Sequence, residues 1–328
     1  VSRRAIPPHL DRRSLLRSAL GGAVGASLPL AGCGDAADTA ALTVTPLAED
    51  LILVSGAGGN VVAARGPDGV VMVDGGRAEH TETLGRAIAS ELGSRDVAAL
   101  FNTHWHPDQV GSNARLGRRG VPIVAHENTR LWLTQEIERP WEDFVHAPLP
   151  EEARPNRTFY AKEEMAVGDE TVAYGYMLQA HTDGDIYVHF RNANVIVAGG
   201  VVSGEGWPEV DWWTGGWIGA GAVTLNANLV PTAGGMVGGL ATLITLADAE
   251  TRIVPAHGGV LTRGDLEAQL AMYGAIAGQL RDMLFDGLSP EDVLAARPAA
   301  AYEAEMGDPN RFLTLAFQSL WGHYAPDA

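Results

Sequence analysis

The sequence predicts an α/β fold, built as a four-layer αββα sandwich with helices at its C-terminal end. Three observations lead there: short apolar runs recur in both halves of the chain, helical patterns separate them, and three of the runs stop at a histidine. Strands are expected near 50–55, 60–65 and 70–73, a helix near 79–92, and a strand at Val97–Phe101 that ends where polar residues begin. A helix should follow that loop, then a strand near Pro122–Ala125. Further strands near 158–160, 172–178, 186–190 and 195–198 precede a Gly/Trp-rich loop, a helix near 235–248 and the apolar run Ile253–Ala256. After Gly264 only helices are expected: Asp265 caps a stretch to about Phe285, Ser289 with Pro290 starts another, and a last one runs from about Arg311 to Trp321. Residues 218–235, poor in charge, read as an inserted loop.

The chemistry concentrates in Asn102-Thr103-His104-Trp105-His106-Pro107-Asp108-Gln109, which places two imidazoles and a carboxylate within five residues. Ligands set at the end of a buried strand have a fixed backbone and an open side toward solvent, as a catalytic zinc requires. His181 opens the turn His181-Thr182-Asp183-Gly184-Asp185, and His257 precedes Gly258-Gly259 after its own apolar run. An α/β scaffold gathers ligands that are distant in sequence in this way. His126, His146, His189 and His323 receive no role. Asp108 also suits the cap of a helix beginning near Gln109.

Taken together these motifs resemble the metallo-β-lactamase superfamily of metallohydrolases, over most of the chain after about residue 45. Asp74-Gly75-Gly76 after Val70–Val73 matches that superfamily's strand-end Asp-Gly. The resemblance implies a zinc site of His104, His106 and His181, with Asp108 and His257 as two ligands of a second site. Two positions depart from the pattern: Gln109 stands where a histidine is usual, and Gly200 where a bridging aspartate or cysteine is expected. One complete Zn2+ site is therefore expected and a second that is weak or absent, with the Gln109 carbonyl as a further donor. On that view Gly200→Asp with Gln109→His would restore the second ion.

Three neutral imidazoles leave a fourth tetrahedral position for water, whose pKa falls toward about 7. The expected function is a zinc-dependent hydrolase that uses a metal-bound hydroxide on an ester, lactone, amide or β-lactam, or similar small-molecule substrate. Asp108 would orient or deprotonate the water, and His257 would assist or hold the second metal. The alternative is a non-catalytic zinc- or ligand-binding lipoprotein that has lost the dinuclear centre, which Gln109 and Gly200 favour; the intact three-histidine set favours the enzyme. Trp207, Trp212, Trp213 and Trp217, four of the eight tryptophans, fall in one Gly-rich segment. They suit either a substrate pocket wall or packing beneath the C-terminal helices.

The N-terminus reads as an address. Arg12-Arg13 with Ser14-Leu15-Leu16 resembles a twin-arginine export signal, and Leu30-Ala31-Gly32-Cys33 a lipobox whose cysteine is lipidated. Residues 1–32 are thus expected to be a signal peptide, 33–45 a tether, 46–264 the catalytic fold and 265–328 a helical extension of the same domain. The destination is the periplasm, lipid-anchored to a bacterial membrane, with the outer membrane favoured by Gly34. Cys33 is the single cysteine, so a disulfide within the chain and a thiolate ligand in the core are both excluded. The net charge of −17 becomes more negative once Arg3, Arg4, Arg12, Arg13 and Arg17 leave with Asp11, and no basic stripe marks a nucleic-acid footprint. A small-molecule substrate is the expected partner, and membrane contact is through the lipid alone. Nothing in the sequence sets an oligomeric state.

Overall fold

Side-chain alternation along the strands decides the layering. In Leu51–Ser55, Leu51 and Leu53 enter one buried cluster while Ile52 and Val54 enter another, as a period of two requires. A sheet that is apolar on both faces must be covered on both. The computed structural model describes residues 42–324 except 221, 226, 227, 232 and 233, all within the compact unit Ala40–Ala328.

The first sheet has seven strands in the order Thr43–Ala48, Leu51–Ser55, Val61–Gly66, Gly69–Val73, Val97–Phe101, Ile123–His126, Arg157–Phe159. The first four pair antiparallel and the later ones parallel. The second sheet runs Lys162–Val167, Glu170–Tyr176, Ile186–Phe190, Val195–Gly199, Arg252–Pro255, with only its last pair parallel. Their inner faces share one core, including Val62, Val71, Phe101, Val188 and Val197. Phe101 and Tyr174 meet edge to face within it, centroids 4.9 Å apart.

The outer layers complete the sandwich. Helix Thr81–Leu92 presents Leu84, Ile88 and Leu92, one apolar stripe at four-residue spacing, to Val54, Ala63, Met72 and Leu100 of the first sheet. Helices Gly235–Leu246, Arg263–Phe285, Pro290–Ala296 and Asn310–Tyr324 bury their apolar faces with Tyr187, Ile196, Ala198 and Ile253 of the second. Among the described residues no helix is long and apolar enough to cross a membrane.

Several local expectations are corrected. The expected strands omit Thr43–Ala48 and Lys162–Val167 because both lie at sheet edges and bury only one side chain each, so neither carries an apolar run longer than three residues. The former also takes up the last residues of the expected tether. The long helix begins at Arg263 with Thr262 as its cap; Asp265 sits one turn in and closes a reciprocal capping box. Within 218–235 the backbone pairs Ala222–Leu225 with Asn228–Pro231 as a hairpin instead of an irregular loop. The leader, Cys33 and most of the tether lie outside the described residues.

Candidate metal centre

Each of the three histidines is delivered by a strand end. His104 leaves Val97–Phe101 through Asn102 and Thr103, and the Asn102 side chain exchanges amide hydrogen bonds with Asn113 at 3.0 and 2.8 Å. His106 directly precedes the one-turn helix Pro107–Val110, so Asp108 lies inside that turn and does not cap it. His181 follows Glu170–Tyr176 in a turn closed by Asp185, whose Oδ2 accepts the Thr182 N–H at 2.5 Å. One ring nitrogen from each of His104, His106 and His181 lies within 4.8 Å of the others, and all three rings are buried. His181 Nε2 and His106 Nδ1 are 3.2 Å apart.

Electrostatics keep this cluster ready for a cation. Burial, reinforced by the neighbouring imidazoles, holds His104 well below the ordinary histidine range and brings His181 down to about 4. Their lone pairs are therefore free of protons at neutral pH, as metal binding demands.

The outward nitrogens are also engaged. His181 Nδ1 lies 2.8 Å from the Glu209 carbonyl oxygen, and His106 Nε2 lies 3.0 Å from Asp211 Oδ2. His104 Nδ1 lies 3.0 Å from the Thr103 hydroxyl, which donates to Asp74 at 2.8 Å. Metal-binding imidazoles use such partners to fix ring orientation. Asp74 takes a left-handed φ of 64° at the end of Gly69–Val73, which a short polar side chain tolerates, and both its oxygens accept hydrogen bonds from Thr103. Burial still drives its carboxyl up to about 8. Three convergent, oriented imidazoles at the wall of a cleft of about 940 Å³ fit a tetrahedral ion with one position open to a substrate.

Asp108 and His257 also line this cleft, and they meet each other: Asp108 Oδ2 lies 2.8 Å from His257 Nε2. Gln109 donates its amide to the same oxygen at 3.0 Å, while its own carbonyl oxygen is buried without a partner among the described residues. The expected Gln109 carbonyl donor is thus turned away from Asp108. Among the described residues, Asp108 and His257 belong to no group of three clustered ligands. Gly200 reaches the cleft as bare backbone, and a Cβ there would stand 2.3 Å from His181 Cδ2 and 2.6 Å from its Nε2. Gly200→Asp with Gln109→His, expected to restore a second ion, would therefore also have to move the His181 ring. Gly258, at φ 85°, lets the His257 loop abut Gly204, whose carbonyl carbon a Cβ would meet at 2.3 Å.

The tryptophans divide. Trp207 lines the cleft, stacks on Phe312 at 4.8 Å and donates to the Gly307 carbonyl. Trp212, Trp213 and Trp217 do not line it: Trp212 packs on Trp141, Trp213 is partly exposed, and Trp217 is buried in the core against His323. His146, given no role from sequence, is a cleft residue bonded to Glu142 at 2.7 Å.

The residues that sequence reasoning missed are Glu209, Asp211 and Arg139. Arg139 is buried, its Nη1 lies 3.0 Å from His106 Nε2 and 3.4 Å from Asp211 Oδ2, and it pairs with Glu142 and Glu209. His106, Glu209 and Asp211 also cluster as possible ligands, but the Arg139 guanidinium already supplies the cation among them.

Fold and site together define an αββα protein with a strand-end cluster of three histidines that could hold a metal ion. The sequence matches the model of the metallo-β-lactamase superfamily over residues 54–258, and the chain belongs to that superfamily of hydrolases. The structure is similar to a metallo-β-lactamase from Pontibacter korlensis (20% identity, TM-score 0.51, covering 71% of this chain and 98% of that one). It is similar to the DIM-1 metallo-β-lactamase (15%, 0.52, 71% and 96%). It also resembles the inverting sec-alkylsulfatase Pisa1 from Pseudomonas sp. (12%, 0.57, 88% of this chain and 51% of that one). No curated protein matches the chain.

Proposed function

We propose that the chain is a mononuclear zinc hydrolase acting on a small ester, lactone, amide or β-lactam. The observation that carries this reading is the convergence of His104, His106 and His181, each with its outward nitrogen engaged, at the wall of an open cleft. Zinc held there would supply the Lewis acidity that makes water nucleophilic at neutral pH. The chain's own groups do the rest. Asp108 is ionised: burial raises its pKa, but the His257 hydrogen bond and the charges of His106 and His257 bring it to about 2. Its Oδ1 takes no side-chain hydrogen bond among the described residues and is the oxygen available to orient an entering water or accept its proton. His257, bonded to the other oxygen and half exposed, is placed to pass that proton to solvent or to a leaving group. Trp207 and Phe144 offer apolar surface to a substrate at the cleft wall.

Glu142, Asp143, Glu205, Glu209 and Asp308 outnumber Arg77, Arg139 and Arg311 along the cleft, which with the net charge of −17 argues against nucleic acid. The Arg12-Arg13 leader and Leu30-Ala31-Gly32-Cys33 support export and lipid anchoring in the periplasm. Cys33→Ala should then leave the protein in the soluble fraction. The zinc-loaded chain should be assayed against esters, lactones, β-lactams, thioesters, phosphodiesters and secondary alkyl sulfates. Turnover that disappears in His106→Ala supports the hydrolase. Zinc binding with no turnover across the panel would favour the binding-protein reading, to which Gly200 and Gln109 lend weight.

A further inference from the structure

We infer that Asp211 is a positioning residue that selects the metal-binding tautomer of His106, and that Arg139 holds Asp211 in place for it. The inference rests on the three-histidine reading and deepens it. His106 directs Nδ1 toward His181 Nε2, at 3.2 Å, and Nε2 away from the cluster. Nδ1 can bind an ion only if the ring proton is on Nε2. His181 Nε2, whose lone pair lies 3.2 Å from Nδ1, favours a proton there in the metal-free protein but is a neutral acceptor, and two groups compete at His106 Nε2. Asp211 Oδ2, at 3.0 Å, needs a proton on Nε2, whereas Arg139 Nη1, also at 3.0 Å, would need a lone pair there. With the lone pair on Nε2, the proton would sit on Nδ1 and block the site.

Partner counting favours the carboxylate. Arg139 already bonds Glu142 through Nε and Nη2 and Glu209 through Nη1, so it has no need of His106 as an acceptor. Asp211 is wholly buried and fixed: Oδ1 accepts the Thr214 N–H at 3.2 Å, and Oδ2 the Thr214 hydroxyl at 2.7 Å. An ionised carboxylate in that place has further capacity to accept a hydrogen bond, and Arg139 at 3.4 Å stabilises its charge. The same three-residue stretch fixes His181, because the Glu209 carbonyl takes its Nδ1 and the Asp211 N–H bonds the His181 carbonyl at 3.0 Å. Residues 209–211 thus orient two of the three ligands. Their own position is tied to the C-terminal helix Asn310–Tyr324 by Arg311, which pairs with Glu209, and nearby by Trp207, which stacks on Phe312.

The test uses the full chain with ¹⁵N-labelled histidine, metal-free at neutral pH, with zinc affinity read separately by competition with a chromophoric chelator. Wild type should show His106 protonated at Nε2, and Asp211→Ala should lose that single tautomer and bind zinc about 10- to 100-fold more weakly. Thr214→Val removes two hydrogen bonds, from the Thr214 hydroxyl to Asp211 and from Trp105 Nε1, yet leaves the carboxylate itself beside His106; it should keep the wild-type tautomer and lose less affinity than Asp211→Ala. An Nδ1-protonated His106 in the wild type, or Asp211→Ala and Thr214→Val losing affinity equally, would overturn the inference. If wild type binds no zinc at all, the three-histidine reading fails instead.

Discussion

Asp108 and His257, whose side chains meet at 2.8 Å, come from the ends of strands in different sheets, Val97–Phe101 in one and Arg252–Pro255 in the other. The backbone N–H of Asn60 bonds the Ala256 carbonyl at 2.8 Å, and its side-chain amide bonds the carbonyls of Pro255 and Gly258 at 3.0 and 2.9 Å. The pair is thus held by both halves of the sandwich.

This contact sets a pH window for the metal-free protein. Asp108, lowered from 3.8 to about 2, contributes stability above 3.8 that is lost as pH falls through about 2. His257 is raised above 6.5, chiefly by its hydrogen bond to Asp108, and contributes stability below 6.5 that is lost as pH rises through its folded pKa. The pair therefore contributes fully only between about 3.8 and 6.5. In an NMR titration His257 should have its midpoint above 6.5, and Asp108→Asn should lower it. An unchanged midpoint would exclude the pairing.

Gly200 is expected to be indispensable to the first site. Because its Cβ would stand 2.6 Å from His181 Nε2, Gly200→Ala should displace that ring and weaken zinc binding about 10-fold or more. Chelator competition measures this directly, and wild-type affinity in the variant would mean that the loop has room to give way.

Phe101 locks the two sheets through Tyr174 and is fully buried. Phe101→Ala should cost about 3–5 kcal/mol in denaturant unfolding, the range for emptying an aromatic core site. A loss under about 1 kcal/mol would mean that the inter-sheet core repacks around the hole.

The layered fold and the histidines were legible because buried strands write apolar runs and those runs stop at the cleft: Val97–Phe101 before His104, and Arg252–Pro255 before His257. The edge strands were not, since half of Lys162–Val167 is charged and the strand pairs only with Glu170–Tyr176. Asp211 lies 105 residues from His106, and Arg139 lies 33. No local periodicity encodes such a contact. The Trp-rich segment drew attention for its rings, yet its polar members, Glu209 and Asp211, are the ones that touch the ligands.

The central claim is a single ion held by three imidazoles, and native mass spectrometry of the zinc-equilibrated chain tests it most directly. The account predicts one zinc per chain, absent from His104→Ala, His106→Ala and His181→Ala and retained in His257→Ala. Two tightly held ions in the wild type, or one that survives all three ligand substitutions, would contradict it.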